Sequence, residues 1–260
     1  MTQDEPHVLC EIDGPVATVT LHRPERRNAM TTEMVIQAHE TLSGLAGRSD
    51  LRIVVFTGSG DDFFCPGADL GGSGGTSKVP ELWHYQVPVI LREMPQVTIG
   101  AINGACAGAG LGWALGCDLR VASESARFAT AFLDVGVAGD MGLPWTLSRV
   151  VGAARARELM FLRGKFSAEE ALSYGLVSSV FQRETFRSEV ASVVERLRKA
   201  SPTALRYMKQ NFVSAERMDF GDFVDLESER HLRIVASPDF QEGVAAFVER
   251  RAPRFGAPKA

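Results

Sequence analysis

Two short stretches, Pro66-Gly67-Ala68-Asp69-Leu70 and Gly108-Ala109-Gly110-Leu111-Gly112, hold the residues best placed to do chemistry. Each follows an apolar, β-branched run and opens a segment of helical pattern. Backbone without bulky side chains can approach a ligand closely, and the N–H groups at a helix start have no acceptor within the helix. Such groups bind oxyanions or polarise a carbonyl. If the runs 53–57 and 98–102 are neighbouring strands of one parallel sheet, both loops leave its carboxyl edge, where ligands bind in such folds. Two N–H groups could then converge on one oxygen. Two other readings compete for the second stretch. It is one residue short of a dinucleotide fingerprint, whose spacing needs glycine where Trp113 stands. Its small residues could also serve only to pack a helix tightly on a sheet.

The elements that must position these loops follow from periodicity. Residues 8–12 and 16–21 alternate around Asp13-Gly14-Pro15, a hairpin signature. Thr31 or Thr32 caps a helix whose apolar positions are Met34, Val35, Ala38, Leu42 and Leu45, ended by Gly47. Residues 53–57 read as a strand buried on both faces, 81–94 as a helix and 97–102 as the central strand. A third short strand covers 119–122. Residues 128–139 read as irregular, 141–150, 153–162 and 168–174 as helices, and 177–181 as a last strand. From 187 onward the pattern is helical only: 187–200, 202–215, 220–235 and 238–250, with Ser201-Pro202 a cap and first turn. Strand-then-helix units followed by helices predict an α/β core with a C-terminal helical subdomain. The segment 71–80 (GGSGGTSKVP) is too short to divide domains and reads as a loop beside a site.

Composition narrows the partners. With 260 residues, 45% of them hydrophobic, the chain can build a sizeable core. A net charge of −4 without a Lys/Arg run argues against nucleic acid and against a basic membrane face. No charged-then-apolar leader and no run of about 20 apolar residues are visible, so a soluble, cytoplasmic protein is expected. Cys10, Cys65, Cys106 and Cys117 lack CxxC spacing and the five histidines are scattered, which predicts reduced thiols and no metal site.

In order along nearly the whole chain, the sequence resembles the enoyl-CoA hydratase/isomerase (crotonase) family. The residues that carry this are His22-Arg23-Pro24 with Asn28-Ala29, Val54-Val55-Phe56-Thr57-Gly58, Phe63 with Gly67-Ala68-Asp69-Leu70, Ala101-Ile102-Asn103-Gly104, Gly108-Ala109-Gly110-Leu111, Cys117-Asp118-Leu119-Arg120-Val121-Ala122, Phe128, Gly175-Leu176-Val177, and the tail from Ser237 to Phe247. The resemblance implies an α/β crotonase-like spiral of ββα units over residues 1–200, binding an acyl-CoA. Residues 201–260 would form a helical subdomain that oligomerises and covers the site, in a homotrimer or homohexamer. It implies no cofactor, since coenzyme A belongs to the substrate. It also assigns the Ala68 and Ala109 amides to the thioester oxygen, where they would stabilise an enolate. Around them, Asn28, Ala29, Gly67, Asp69, Leu70, Gly108, Gly110, Phe132 and Gly136 would form the binding site.

The acid/base groups depart from the hydratase pattern. Where hydratases carry paired glutamates, this chain has Gly112 and Phe132, neither able to transfer a proton. Asp140 falls where dienoyl-CoA and ring-modifying enoyl-CoA isomerases carry an acid, and where chlorobenzoyl-CoA dehalogenase carries its nucleophile. The leading expectation is double-bond isomerisation with Asp140 moving the proton. Water addition using Asp140, a non-catalytic acyl-CoA binder, and an aryl-CoA dehalogenase in which Asp140 attacks directly stay open. Asp140 also reads as the N-cap of the 141–150 helix, and Asp134 as a turn residue. Asp69 is expected to fix its loop or cap a helix. Trp113, Phe132 and Trp145 read as acyl wall or core, Arg23, Arg26 and Arg27 as phosphate contacts or a solvated cluster, and Trp83-His84 as pocket lining or a surface histidine beside a packing tryptophan.

Overall fold

Val8–Asp13 (β1) and Val16–Leu21 (β2) form the expected hairpin, antiparallel in register from Val8–Leu21 to Asp13–Val16. The Thr31 hydroxyl accepts from the Met34 N–H and starts Thr32–Ala46 (α1), which buries Met34, Ala38, Leu42 and Leu45 along one face. The chain then repeats a pattern of long strand, short strand and helix. Ile53–Gly58 (β3), Phe63–Cys65 (β4) and Val87–Glu93 (α2) form one unit. Val97–Ile102 (β5), Ala105–Ala107 (β6) and Ala109–Gly116 (α3) form the next. Leu119–Ser123 (β7), Arg127–Ala129 (β8) and Leu143–Val151 (α4) form a third. After Ala153–Phe161 (α5) come Phe166–Ser167 (β9), Ala168–Ser173 (α6), Ser179–Phe181 (β10) and Phe186–Arg198 (α7). Pro202–Ala215 (α8), Phe220–Val235 (α9) and Pro238–Val248 (α10) complete this computed structural model, which describes residues 6–71, 81–162 and 164–256.

Two sheets result. The larger runs β1-β2-β3-β5-β7-β10, parallel except at β1, and the smaller runs β4-β6-β8-β9. Because β3 and β5 are parallel neighbours, the loops that follow them share one edge, as the sequence reading required. Asn103 ties the bends between the sheets together. Its amide donates to the carbonyls of Gly58, Gly60 and Phe63 while its oxygen accepts from the Gly58 N–H. The short strands β4 and β6 consequently emerge side by side, Phe63 beside Ala105 and Cys65 beside Cys106.

Side chains on one face of the large sheet, among them Val19, Leu21, Val54, Phe56 and Ile102, join α1, α2 and α3 in the main core. Val16, Ile53, Val55, Ile99 and Val121 on the other face pack against Phe186 and Val190 of α7. Every residue of β5 is buried, as befits a central strand covered on both faces.

The helical subdomain docks through α8 onto α2 and the amino end of β5. Lys209, only 4% exposed, donates to the Leu91 and Gln96 carbonyls and lies 2.8 Å from the Asp118 carboxylate. Phe212, Phe220, Leu232, Phe247 and Val248 stand exposed along α8, α9 and α10.

Several elements differ from the sequence reading. β4, β6 and β8, each of three residues, were expected as loop or irregular chain. The helix expected over 81–94 starts as a 3-10 turn, Leu82–Gln86, where Glu81 and His84 cap each other, before α2 begins with Pro88 in its first turn. The helix expected from Met141 starts at Leu143, because Met141 and Gly142 both have positive φ. The last strand is shorter, Ser179–Phe181. The segment read as a loop beside the site lies, from residue 72 on, outside the described residues.

Candidate active site

Gly67 and Gly108 bring the two loops into contact. A methyl group on Gly67 would lie 3.3 Å from the Ala107 oxygen and 3.8 Å from the Gly108 Cα. Both glycines adopt positive φ, +105° and +51°, which lets the backbone turn at this contact. The first loop is fixed by a β-bridge. The Met30 N–H donates to the Gly67 carbonyl at 2.8 Å and the Asp69 N–H donates to the Met30 carbonyl at 2.9 Å. Since residues 67 and 69 use the groups facing Met30, the Ala68 N–H faces the other way. Among the described residues it has no acceptor, and neither has the Ala109 N–H in the first turn of α3. Ala68 is exposed and Ala109 buried.

Asp69 locks this loop from behind. Its carboxylate accepts from Arg26 at 3.1 Å and Arg23 at 3.0 Å, and these hydrogen bonds, Arg26 first, hold it below the usual carboxylate range despite burial. Arg23 also donates to the Ala29 carbonyl at 2.7 Å. The two arginines are thereby committed to the loop, while Arg27 lies over the Phe63 ring. Asn28, fully buried, accepts from the Arg23 N–H and the Ser59 hydroxyl and donates to the Ser59 and Phe63 carbonyls. Its side chain is spent on side-chain and backbone groups of this chain, bracing the segment from within. Leu70 is exposed beyond the loop.

α3 sits directly on β4. A methyl on Gly110 would fall 2.3 Å from the Cys65 oxygen and 2.7 Å from its Cβ. Gly110→Ala is therefore expected to cost about 1–3 kcal/mol through overpacking. Urea denaturation at fixed protein concentration checks this, and a midpoint equal to wild type would show that the two elements can part freely. Beneath the loop, burial pushes the Cys65 thiol up to about 12, with the nearby Asp140 charge adding to the rise.

The next residue, Met141, packs against Gly112, which places Asp140 near the first turn of α3. Its side chain is exposed on the isolated protomer, yet surrounding atoms desolvate the carboxyl and push its pKa above the ordinary value. Desolvation alone accounts for the rise. The expected capping role is not found. Gly142 is the N-cap of α4, and Asp140 enters that turn only through its carbonyl, which accepts from the Leu143 N–H at 3.0 Å. Asp134 is exposed in a 3-10 turn, and Gly136, left-handed at φ +73°, ends that turn on the surface.

Of the three aromatics read as acyl wall or core, Phe132 stands beside the second loop, its Cε1 3.9 Å from a methyl placed on Gly108. Trp113 is core, and Trp145 lies outside between Arg92 and Arg149. Trp83 and His84 invert the surface reading: His84 is 6% exposed and Trp83 45%, stacked at 3.6 Å. A cavity of about 860 Å³ lies on the opposite face of the large sheet, lined by Thr18, Thr57, Phe186 and Val190 among others, and includes none of these site residues. Among the described residues no group of His, Cys, Asp or Glu is arranged to hold a metal ion, and no helix is long and apolar enough to cross a membrane.

The spiral of ββα units followed by C-terminal helices is the crotonase fold. Residues 11–258 match the family described as enoyl-CoA hydratase/isomerase, and the chain belongs to that family. It is 35% identical over 256 residues to 1,2-epoxyphenylacetyl-CoA isomerase of Escherichia coli K12, covering 95% of this chain and 97% of that one. It is 34% identical over 259 residues to (E)-benzylidenesuccinyl-CoA hydratase of Thauera aromatica, covering 95% and 98%. The fold superposes on a crystal structure of enoyl-CoA hydratase from Bacillus anthracis with a TM-score of 0.88 at 26% identity, over 96% of this chain and 98% of that one. The chain is thus a family enzyme, a lyase or an isomerase, of acyl-CoA processing.

The packing of Met141 against Gly112 was not legible in the sequence, where Met141 reads as one more apolar position at a helix start.

Proposed function

We propose that the enzyme isomerises an unsaturated acyl-CoA, moving a double bond through an enolate whose oxygen meets the Ala68 and Ala109 amides and whose proton is moved by Asp140. The observation that carries this is Asp140, whose carboxyl is desolvated, while the two positions of the hydratase glutamates are Gly112 and Phe132. Drawing negative charge onto the thioester oxygen acidifies the adjacent carbon. Each amide aimed at a developing oxyanion is typically worth about 10²–10³ in rate. An acid held partly out of water has a pKa nearer to neutrality, which suits a group that must take a proton and return it. Similarity to a 1,2-epoxyphenylacetyl-CoA isomerase supports the isomerase reading.

Hydration with Asp140 activating water is the second reading, favoured by the hydratase among the relatives. The chemistry calls on no cofactor, with coenzyme A entering as part of the substrate. We also carry forward a cytoplasmic enzyme assembled as a trimer or hexamer, to which the exposed apolar side chains of α8–α10 would contribute. Incubation with 2-enoyl-, 3-enoyl- and dienoyl-CoA thioesters, followed by absorbance and mass, separates the readings. A product of unchanged mass supports isomerisation, one heavier by a water supports hydration, and tight binding without turnover would leave an acyl-CoA binder.

A further inference from the structure

Among the described residues the Asp140 carboxylate receives no hydrogen bond, so the structure anchors it through the backbone that carries it. That backbone is bent: Gly139, Met141 and Gly142 all have positive φ, +119°, +47° and +68°. Glycine adopts such angles freely, whereas methionine does so only where packing enforces it. Met141 is 5% exposed, and its sulfur accepts from the Trp113 indole N–H at 3.3 Å. Its seat is the side chain that Gly112 lacks. A methyl on Gly112 would fall 2.6 Å from the Met141 Cβ and 3.2 Å from its carbonyl oxygen. Gly112 lies one turn along the helix that begins at Ala109.

We propose that Met141 is a positioning residue for Asp140: seated in the space Gly112 leaves on α3, it fixes the carboxylate relative to the Ala109 amide. This deepens the proposed function and rests on Asp140 being the group that moves the proton. The carbonyl acceptor and the carboxylate are then registered to each other through a single rigid helix rather than through two independent loops. It also links two features of the sequence. A glutamate at 112 would enter the volume that Met141 holds, so glycine at 112 and the bent chain at 139–142 come as a pair.

Among the described residues the titratable group whose charge couples to Asp140 is the Cys65 thiol, which burial keeps uncharged over the working range. The acid limb of the pH profile therefore reports how Asp140 itself is placed. Three variants test the proposal on the thioester that the wild type turns over fastest, each with its melting temperature. Met141→Gly relieves the positive φ and empties the seat. Its kcat is expected to fall roughly tenfold to hundredfold, the scale of a misplaced catalytic group, with KM near wild type and the acid limb of kcat/KM moved down toward an ordinary carboxylate. Met141→Leu, which refills the seat, restores most of the rate. Gly112→Ala, which presses on Met141 from the helix side, reproduces the loss, and it decides the matter should Met141→Gly fold poorly. Wild-type kcat and an unmoved limb in Met141→Gly, or in Gly112→Ala in its place, overturn the positioning role, as does a loss carried only by KM. Wild-type turnover in Asp140→Asn would overturn the proposed function and this inference together, whereas an inactive Asp140→Asn beside a fully active Met141→Gly overturns this inference alone.

Discussion

Asparagine at position 140 is expected to lower turnover by about 10²–10⁴-fold, the usual contribution of a positioned general acid or base, while thioester binding persists. The substitution keeps the shape of the side chain and removes its capacity to carry a proton. The amides of Ala68 and Ala109, the Asp69 clamp and the Phe132 ring stay in place, so KM is expected to remain near wild type. The pH dependence follows from the same residue. Burial disfavours the carboxylate, so its pKa is raised, and the ionised form that accepts the proton is lost as pH falls through that raised value. The acid limb of kcat/KM is thus expected above the range of an exposed carboxylate and is expected to be absent from the asparagine variant. Steady-state kinetics across pH measure both. A variant as fast as wild type would remove Asp140 from the reaction.

The second large effect is on stability, at the docking of the helical subdomain. Asp118 accepts from Lys209, from the Thr98 N–H at 2.7 Å and from the Thr98 hydroxyl at 3.0 Å. Asp118→Ala would leave a buried ammonium with two carbonyls and no counter-charge. Removing one partner of a buried pair costs about 3–5 kcal/mol, and the lower end is expected because the Asp118 side chain is 28% open to solvent. Adding Lys209→Met to this variant is expected to recover part of the loss, since the stranded charge goes with it. Chemical denaturation at one fixed protomer concentration gives the comparison. A single variant of wild-type stability would mean that α8 is held by packing alone.

Much of the scaffold was legible because its signals are local. Ser201-Pro202 and Thr31 mark helix starts through their own side chains, and the structure begins α8 and α1 where they indicate. The buried runs behind β3 and β5 are long enough to show that they are central strands. β4, β6 and β8 were not legible, for three residues are too few to display an alternation. The bends that bring β4 and β6 together are tied by Asn103, whose bonds join residues some 40 positions apart, and β8 pairs with β6 across a similarly long range. The candidate site divides in the same way. Its carboxyl can be read as a residue type, and the amide donors only as glycine-rich spacing, because a main-chain N–H leaves no letter of its own. The seat of Met141 depends on an absence at Gly112, on another element, and no property of either residue alone announces it.

The most direct measurement is a crystal structure of the Asp140→Asn enzyme with its thioester substrate bound. The account expects the thioester oxygen about 2.7–3.1 Å from both the Ala68 and Ala109 nitrogens, the range of a working oxyanion site, with the residue-140 side chain facing the carbons between which the proton moves. An oxygen held by other groups, or residue 140 turned toward bulk water with substrate in place, would contradict it.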